Sequence, residues 1–206
     1  YQRAAERRAG IVKSAHNKIK ELKKIVNEHD KFNFAIIFCV STHKQIDQVQ
    51  TTLLNHKPRP IYSKKITQRA TPNRKEKEEI LHGLLKQDYD VILGINMLDE
   101  GWDCPEVKNC ILMASSGNEK QYVQRRGRVL RTFDGTYADG SMKEFAEIYD
   151  LCVMPDIPPN SAEEVRDMEL GLAKKELVRM ETMAETAMNY DECEKFISDI
   201  KTRFGL

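Results

Sequence analysis

The sequence predicts an α/β fold, a mostly parallel sheet with helices on both faces, and three observations predict it. The runs FAIIFCV (34–40), YDVILGI (89–95) and NCILMA (109–114) are apolar and of strand length, with none of the alternation a half-exposed strand shows. Such runs suit strands buried on both faces. Helical patterns separate them, and strand–helix–strand order feeds a parallel sheet. Apolar residues make up 40% and charged residues 32% of 206 residues, which is the composition of one solid core with a small appendage.

Taken in order, Ile19, Leu22, Ile25 and Val26 fall at helical spacing among lysines, so residues 1–28 are expected to be a helix with a solvated basic face. The first strand, 34–40, is followed by Thr42 with Gln45 three residues on, a capping box that opens a helix striped by Ile46, Val49 and Leu53. Pro58 and Pro60 end that helix, and IYSKKI (61–66) reads as a short, partly exposed strand. Thr71-Pro72 supplies an N-cap with proline at the first helical position, and Ile80, Leu81, Leu84 and Leu85 point inward. Strands at 89–95 and 109–114 follow, then a helix over about 119–131. A loop punctuated by Asp134-Gly135 and Asp139-Gly140 leads to FAEIYDLCVM (145–154), which ends in a fifth strand. Pro155, Pro158 and Pro159 close this domain. Ser161 with Glu164 is a second capping box, opening a long Met- and Glu-rich helix to about 188. A shorter one runs over 191–203. The expected organisation is an N-terminal helix and linker over 1–30, an α/β domain over 31–158 and a helical tail over 159–206.

A net charge of +1 gives no overall pull toward nucleic acid, so any such binding must come from local patches. No apolar run approaches the ~18 residues of a membrane span, and no signal peptide is visible, so no membrane partner is expected. Five cysteines, at 39, 104, 110, 152 and 193, lack the two-residue gap of a zinc site. They read as small buried hydrophobes of a reducing compartment, and a cytoplasmic protein is expected. The five histidines have no ligand spacing, so no metal site is expected in the chain itself. The chain opens YQRAAERR without a Met, which predicts a piece of a longer protein.

The densest chemistry lies in QYVQRRGRVLR (121–131), where four arginines crowd between Gln124 and Arg131. At about 100° per residue, Tyr122, Val123, Val129 and Leu130 share one broad face, and Gln124, Arg128 and Arg131 form a stripe opposite. The apolar face is expected on the sheet and the stripe outward. Gly127 in mid-helix costs about 1 kcal/mol relative to Ala, so close approach of another backbone or ligand should favour it. A basic surface helix with ordinary salt bridges is the plain alternative.

Gln124-x-x-Gly127-Arg128-x-x-Arg131 resembles motif VI of superfamily 2 helicases, NMLDEGWDCP (96–105) resembles their motif V, and FAIIFCVSTHKQ (34–45) resembles motif IV. Order and spacing match over roughly 35–154, the second RecA-like domain of such motors. The DEGWD-P element and the IYDLCVMP strand are similar to the branch that includes restriction-enzyme motor subunits and excision-repair helicases. The resemblance implies a missing first RecA-like domain that carries the phosphate loop and most of the contacts to ATP and Mg²⁺. It implies that Arg128 and Arg131 reach the γ-phosphate as catalytic arginines, with Gln124 ordering the phosphate or the attacking water. Gly101, Asp103 and Gly127 would line the nucleotide side, Asp103 accepting from the ribose or from motif VI. A plain turn aspartate is its alternative reading. Motif V follows the strand ending at Ile95, so a carboxyl-edge position is expected for it. Trp102 is expected to pack rather than stack on bases.

Ser41, Thr42, His43 and Asn96 would meet the backbone of the tracked strand, since hydroxyls and helix N-termini suit phosphates. Where the family has Thr or Ser near the start of motif V, Gly94-Ile95-Asn96 stands here, which leaves Asn96 as the donor. Arg69, Arg74 and Lys75 could add a basic patch or simply be solvated. The implied function is the second motor domain of an ATP-dependent helicase or translocase, acting on DNA, double-stranded in preference to RNA, and inactive as a fragment. Implied partners are the N-terminal RecA-like domain and a nuclease or methylase subunit. Glu106-Val107-Lys108 has the Glu-x-Lys of metal-dependent nucleases but no well-placed acidic partner, so a nuclease is expected elsewhere. The rival reading is a non-catalytic nucleic-acid-binding or docking module derived from such a domain.

Overall fold

The computed structural model describes residues 10–12, 14–40, 43–66, 74–95, 103–113, 123 and 126–206; at 43, 74, 77 and 95 only the backbone is described. The elements are α1 (Asn17–Asn27), β1 (Ala35–Cys39), α2 (His43–Leu54), β2 (Ser63–Ile66), α3 (Arg74–Leu85), β3 (Val91–Ile95), β4 (Asn109–Leu112), β5 (Glu147–Asp150), α4 (Glu163–Ala184) and α5 (Tyr190–Phe204). The chain divides into two compact units, Tyr1–Leu151 and Cys152–Leu206.

In the first unit the five strands form one sheet in the order β2-β3-β1-β4-β5, every neighbouring pair parallel. The three continuous apolar runs occupy the three central positions, and the two mixed sequences lie at the edges, where only one side needs a neighbour. Side chains alternate across the sheet. Ala35, Ile37, Cys39, Val91, Leu93, Ile111 and Met113 face one way and pack with Leu22, Ile25 and Val26 of α1 and Ile46, Val49 and Leu53 of α2. Those of opposite parity, Ile36, Phe38, Ile92, Cys110 and Leu112, are equally buried, so the other face is covered as well.

Several local expectations are corrected. The expected helix is interrupted: residues 10–12 are helical, 14–16 are not, with Ser14 donating from its N–H and Oγ to the Gly10 carbonyl, and α1 starts at Asn17. Its basic face is not wholly solvated, because Lys18 is buried and donates to the Met113 carbonyl at 2.6 Å, beyond the end of β4. Thr42 lies outside the described residues. The capping box lies outside with it; Gln45 Oε1 also accepts from the Val40 N–H at 2.8 Å. Thr71 and Pro72 also lie outside. The strand within 145–154 is confined to Glu147–Asp150.

In the second unit α4 and α5 enclose a small core of Leu177, Ala184 and Ile197, with Met154, Met180, Cys193 and Ile200 against it. The expected Ser161 cap is not made. The N-cap residue of α4 is Ala162, and Ser161 Oγ donates backward to the Pro158 carbonyl at 2.8 Å. The first turn instead carries Glu163 and Glu164, which complement the positive end of the helix. Glu176 and Arg179, one turn apart on α4, are both buried and paired through Arg179 Nη2–Glu176 Oε2 at 2.7 Å. The Val153 N–H also donates to Glu176 Oε2, and Arg179 Nη2 to Cys152 Sγ.

Candidate functional site

Between β4 and β5 the described residues 126–129 are helical, and the chain bends at Leu130 and Arg131. Val129 is fully buried and anchors the segment, but Leu130 is 44% exposed. The expected apolar face therefore stops one residue early: the helical geometry ends before Leu130, so the projection that placed Leu130 beside Val129 fails there. Arg128 is half-buried with its Nη1 atom enclosed and without a hydrogen-bond partner among the described residues. Arg131 is exposed, and its guanidinium donates to the carboxylate of Asp103, a residue 28 positions earlier. Gly127 is exposed, and a Cβ placed on it would meet nothing within 4 Å. Among the described residues nothing crowds that glycine. Gln124 lies outside the described residues.

Of motif V the structure describes the second half, from Asp103 onward. Residues 103–108 run into the amino end of β4, where the Lys108 N–H donates at 2.8 Å to the carbonyl of Phe34, the residue just ahead of β1. The piece that would leave the carboxyl end of β3, including Asn96, Gly101 and Trp102, lies outside the described residues, as do Ser41 and Thr42. His43 begins α2 four positions after the end of β1, which puts a helix N-terminus beyond the carboxyl end of the central strand. Arg69 is outside, and of Arg74 only the backbone is described.

The Asp103–Arg131 partners are both about half exposed. Exposed pairs contribute about 0–1 kcal/mol. Asp103→Asn is accordingly expected to lower stability by less than about 1 kcal/mol, moving Tm of the chain by no more than about 4 °C in a thermal melt.

Beneath this pair the charges are less solvated. Cys104 is fully buried, and burial, then Glu106 and Asp103, push its thiol up to about 12 against the opposing pull of Arg128 and Lys143, so it stays protonated and unreactive. Burial also raises Glu106 above the usual carboxylate range, with Lys143 partly countering it, and Glu106 Oε2 has no partner among the described residues. The Glu-x-Lys pattern has a structural use on its lysine side. Lys108 Nζ lies 4.1 Å from the Tyr137 ring centroid and donates to Ser141 Oγ at 2.6 Å. Tyr137 in turn donates to the Glu106 carbonyl at 2.9 Å and packs against Phe34, ring centroids 4.3 Å apart and tilted by 42°.

Sequence reasoning missed Lys143. Its ammonium donates to three backbone carbonyls: Pro105 at 2.8 Å, Val129 at 2.5 Å and Arg131 at 2.9 Å. No local signal marks it, because a lysine after a turn is ordinarily solvated, and its three acceptors come from two distant segments. The turn itself was legible: Gly140 takes the left-handed φ of +81° after Asp139, whose carboxylate accepts from Ser141.

Residues 17–133 match the helicase conserved C-terminal domain family. Among curated proteins the chain is 31% identical over 124 residues to the DNA 3'-5' translocase XPB2 of Sulfurisphaera tokodaii, covering 60% of this chain and 26% of that protein. It is 44% identical over 72 residues to UvrABC system protein B of Mycoplasma mycoides subsp. mycoides, covering 31% of this chain and 11% of the relative. The chain thus spans about a quarter or less of the length of these relatives. Among solved structures, the C-terminal domain of the DEAD-box protein Dbp5 superposes with a TM-score of 0.53 at 17% identity, covering 91% of this chain and 93% of that one. The RNA helicase Prp28 from Chaetomium thermophilum, bound to ADP, gives 0.53 at 13% identity, covering 85% and 35%. At that identity these likenesses speak to the fold, a parallel five-stranded sheet in common. Because the family match runs over more than half of the sequence, from α1 through the arginine segment, this chain belongs to the helicase conserved C-terminal domain family.

Proposed function

We propose that this domain supplies the arginines of an ATP-driven DNA translocase or helicase, working against a first RecA-like domain that carries the phosphate loop. The observation that carries the reading is the placing of two arginines one turn apart: Arg128, partly buried with an Nη1 that has no hydrogen-bond partner among the described residues, and the exposed Arg131, held by Asp103. Arg128 is only partly buried, so its side chain can turn an unused donor outward, and a triphosphate oxygen is an acceptor suited to it. The open space around Gly127 is consistent with a partner's approach. ATP with Mg²⁺ would supply the phosphoryl group and its metal from the partner domain. On this side Arg128 and Arg131 would meet the γ-phosphate, Gln124 would orient it or the water, and Gly101 and Asp103 would border the nucleotide. A guanidinium is planar and permanently charged, which suits charge spread over equatorial phosphate oxygens. Ser41, Thr42, His43 and Asn96 would contact the backbone of double-stranded DNA rather than RNA. A nuclease or methylase subunit as a further partner, and a cytoplasmic location, complete the proposal.

The test is ATP turnover with and without duplex DNA. The chain alone is expected to show none, and the same domain joined to its phosphate-loop partner is expected to show DNA-stimulated hydrolysis. DNA binding without turnover in the joined protein would favour the non-catalytic binding module instead. Binding itself should be sequence-independent, with log K falling against log salt by about 0.9 per phosphate contacted. A salt-insensitive affinity, measured by fluorescence anisotropy between low and high salt, would remove the backbone-tracking role.

A further inference from the structure

We propose that Lys143 is a positioning residue that fixes the arginine-bearing helix end onto the motif V segment, and that arginine-dependent turnover requires it. The proposal rests on the arginine reading above. An ammonium has three protons, and here all three are directed at backbone carbonyls: Pro105, Val129 and Arg131. Val129 and Arg131 are at the end of the helical segment, where carbonyls lack intrahelical partners and the helix carries its negative pole. Pro105 is two residues after Asp103, the acceptor for the Arg131 side chain. Arg131 is therefore held twice, by its side chain through Asp103 and by its carbonyl through Lys143. Arg128 is one turn earlier on the same segment, so the direction of its guanidinium depends on the end that Lys143 clamps.

The groups facing Lys143 explain why the clamp is a cation. Glu106 attracts it, the buried thiol of Cys104 lies beside it, and Arg128 shares that thiol's surroundings. Burial pulls the ammonium down to about 8, and Glu106 opposes that loss. A neutral amine has only two protons for three carbonyls.

Two measurements decide the matter. The first is amide hydrogen exchange on this chain with Lys143→Met, which keeps the stem and removes the donors. Exchange at 103–107 and 128–131 is expected to quicken together, by about 10-fold or more, while amides of β1 and β3 keep their protection. Changes confined to 142–144 would overturn the clamp. If Lys143→Met loses protection throughout the sheet, Lys143→Gln, which retains two donors, is measured next. Sheet-wide loss there too would make the role structural and overturn positioning. The second is steady-state turnover in the protein joined to its phosphate-loop partner. Lys143→Met is expected to lower kcat by about 10- to 100-fold, the scale of a small misplacement of a catalytic group, with KM for ATP changed by less than about 3-fold. Unchanged kcat in Lys143→Met beside a collapsed Arg128→Ala overturns this proposal and keeps the arginine reading. Full turnover in Arg128→Ala overturns the arginine reading and the catalytic half of this one, whatever the exchange data show.

Discussion

Arg128→Ala, in the protein where this domain meets its phosphate-loop partner, is expected to lower ATP turnover by about 10³- to 10⁵-fold, the range for a transition-state arginine. The same substitution should leave the fold intact or raise its stability. The reason is the state of the guanidinium: Nη1 is enclosed and has no acceptor among the described residues, so in the free domain that donor is left without a hydrogen bond. Removing an unsatisfied donor gives up no bond at that atom. A residue kept only for structure would behave the other way, with turnover following stability. Arg128→Lys refines the test. It retains a cation but replaces the planar fork with a compact point charge, so it should recover only a small part of the lost rate. The measurements are steady-state hydrolysis at saturating DNA and a thermal melt of each variant. Normal turnover in Arg128→Ala would sink the assignment.

How much of this was visible in the sequence depends on the range over which each residue acts. The α2 stripe of Ile46, Val49 and Leu53 is buried as its spacing requires, because a helix's buried face is decided within two turns. The three apolar runs hold the three central strand positions for a similar local reason: on either face their apolar side chains could meet water only at a cost. Where local patterns competed with a particular contact, they misled. Ser161 has the right identity for a cap but turns to the Pro158 carbonyl. Leu130 has the right hydrophobicity for the inner face but falls after the helical geometry has stopped. Lys18 looks like a surface cation and is buried against the Met113 carbonyl, 95 residues away. The site follows the same rule. Arg128 and Arg131 stand out as a cluster in the sequence, yet their role came from a resemblance rather than from periodicity. The ion pair with Asp103 and the Lys143 contacts exist only after β3, β4 and β5 have brought residues 103–105, 129–131 and 143 together.

The buried pair on α4 leads to the other large expected effect, and it concerns stability rather than turnover. Glu176 and Arg179 are each less than 10% exposed, and the Glu176 carboxylate accepts from Arg179 and from the Val153 N–H. Breaking a buried pair from one side costs about 3–5 kcal/mol, because the remaining charge stays desolvated. The second unit is poorly placed to absorb that loss, since the apolar cluster between its helices has only Leu177, Ala184 and Ile197 buried, with partly buried residues around them. Glu176→Ala is therefore expected to unfold α4 and α5 at much lower denaturant while the sheet of the first unit keeps its midpoint. Hydrogen exchange followed through a urea series on the whole chain would separate the two. The double change Glu176→Met with Arg179→Leu removes both charges and restores apolar volume. It should cost less than the single change, and its remaining penalty is the Val153 N–H left without its acceptor, about 1–3 kcal/mol. A single variant that loses under about 1 kcal/mol would mean that water reaches the guanidinium readily and that the pair contributes no more than a surface bridge does. A double variant worse than the single would mean that the helical unit depends on the carboxylate's bond to the Val153 backbone more than on charge neutralisation.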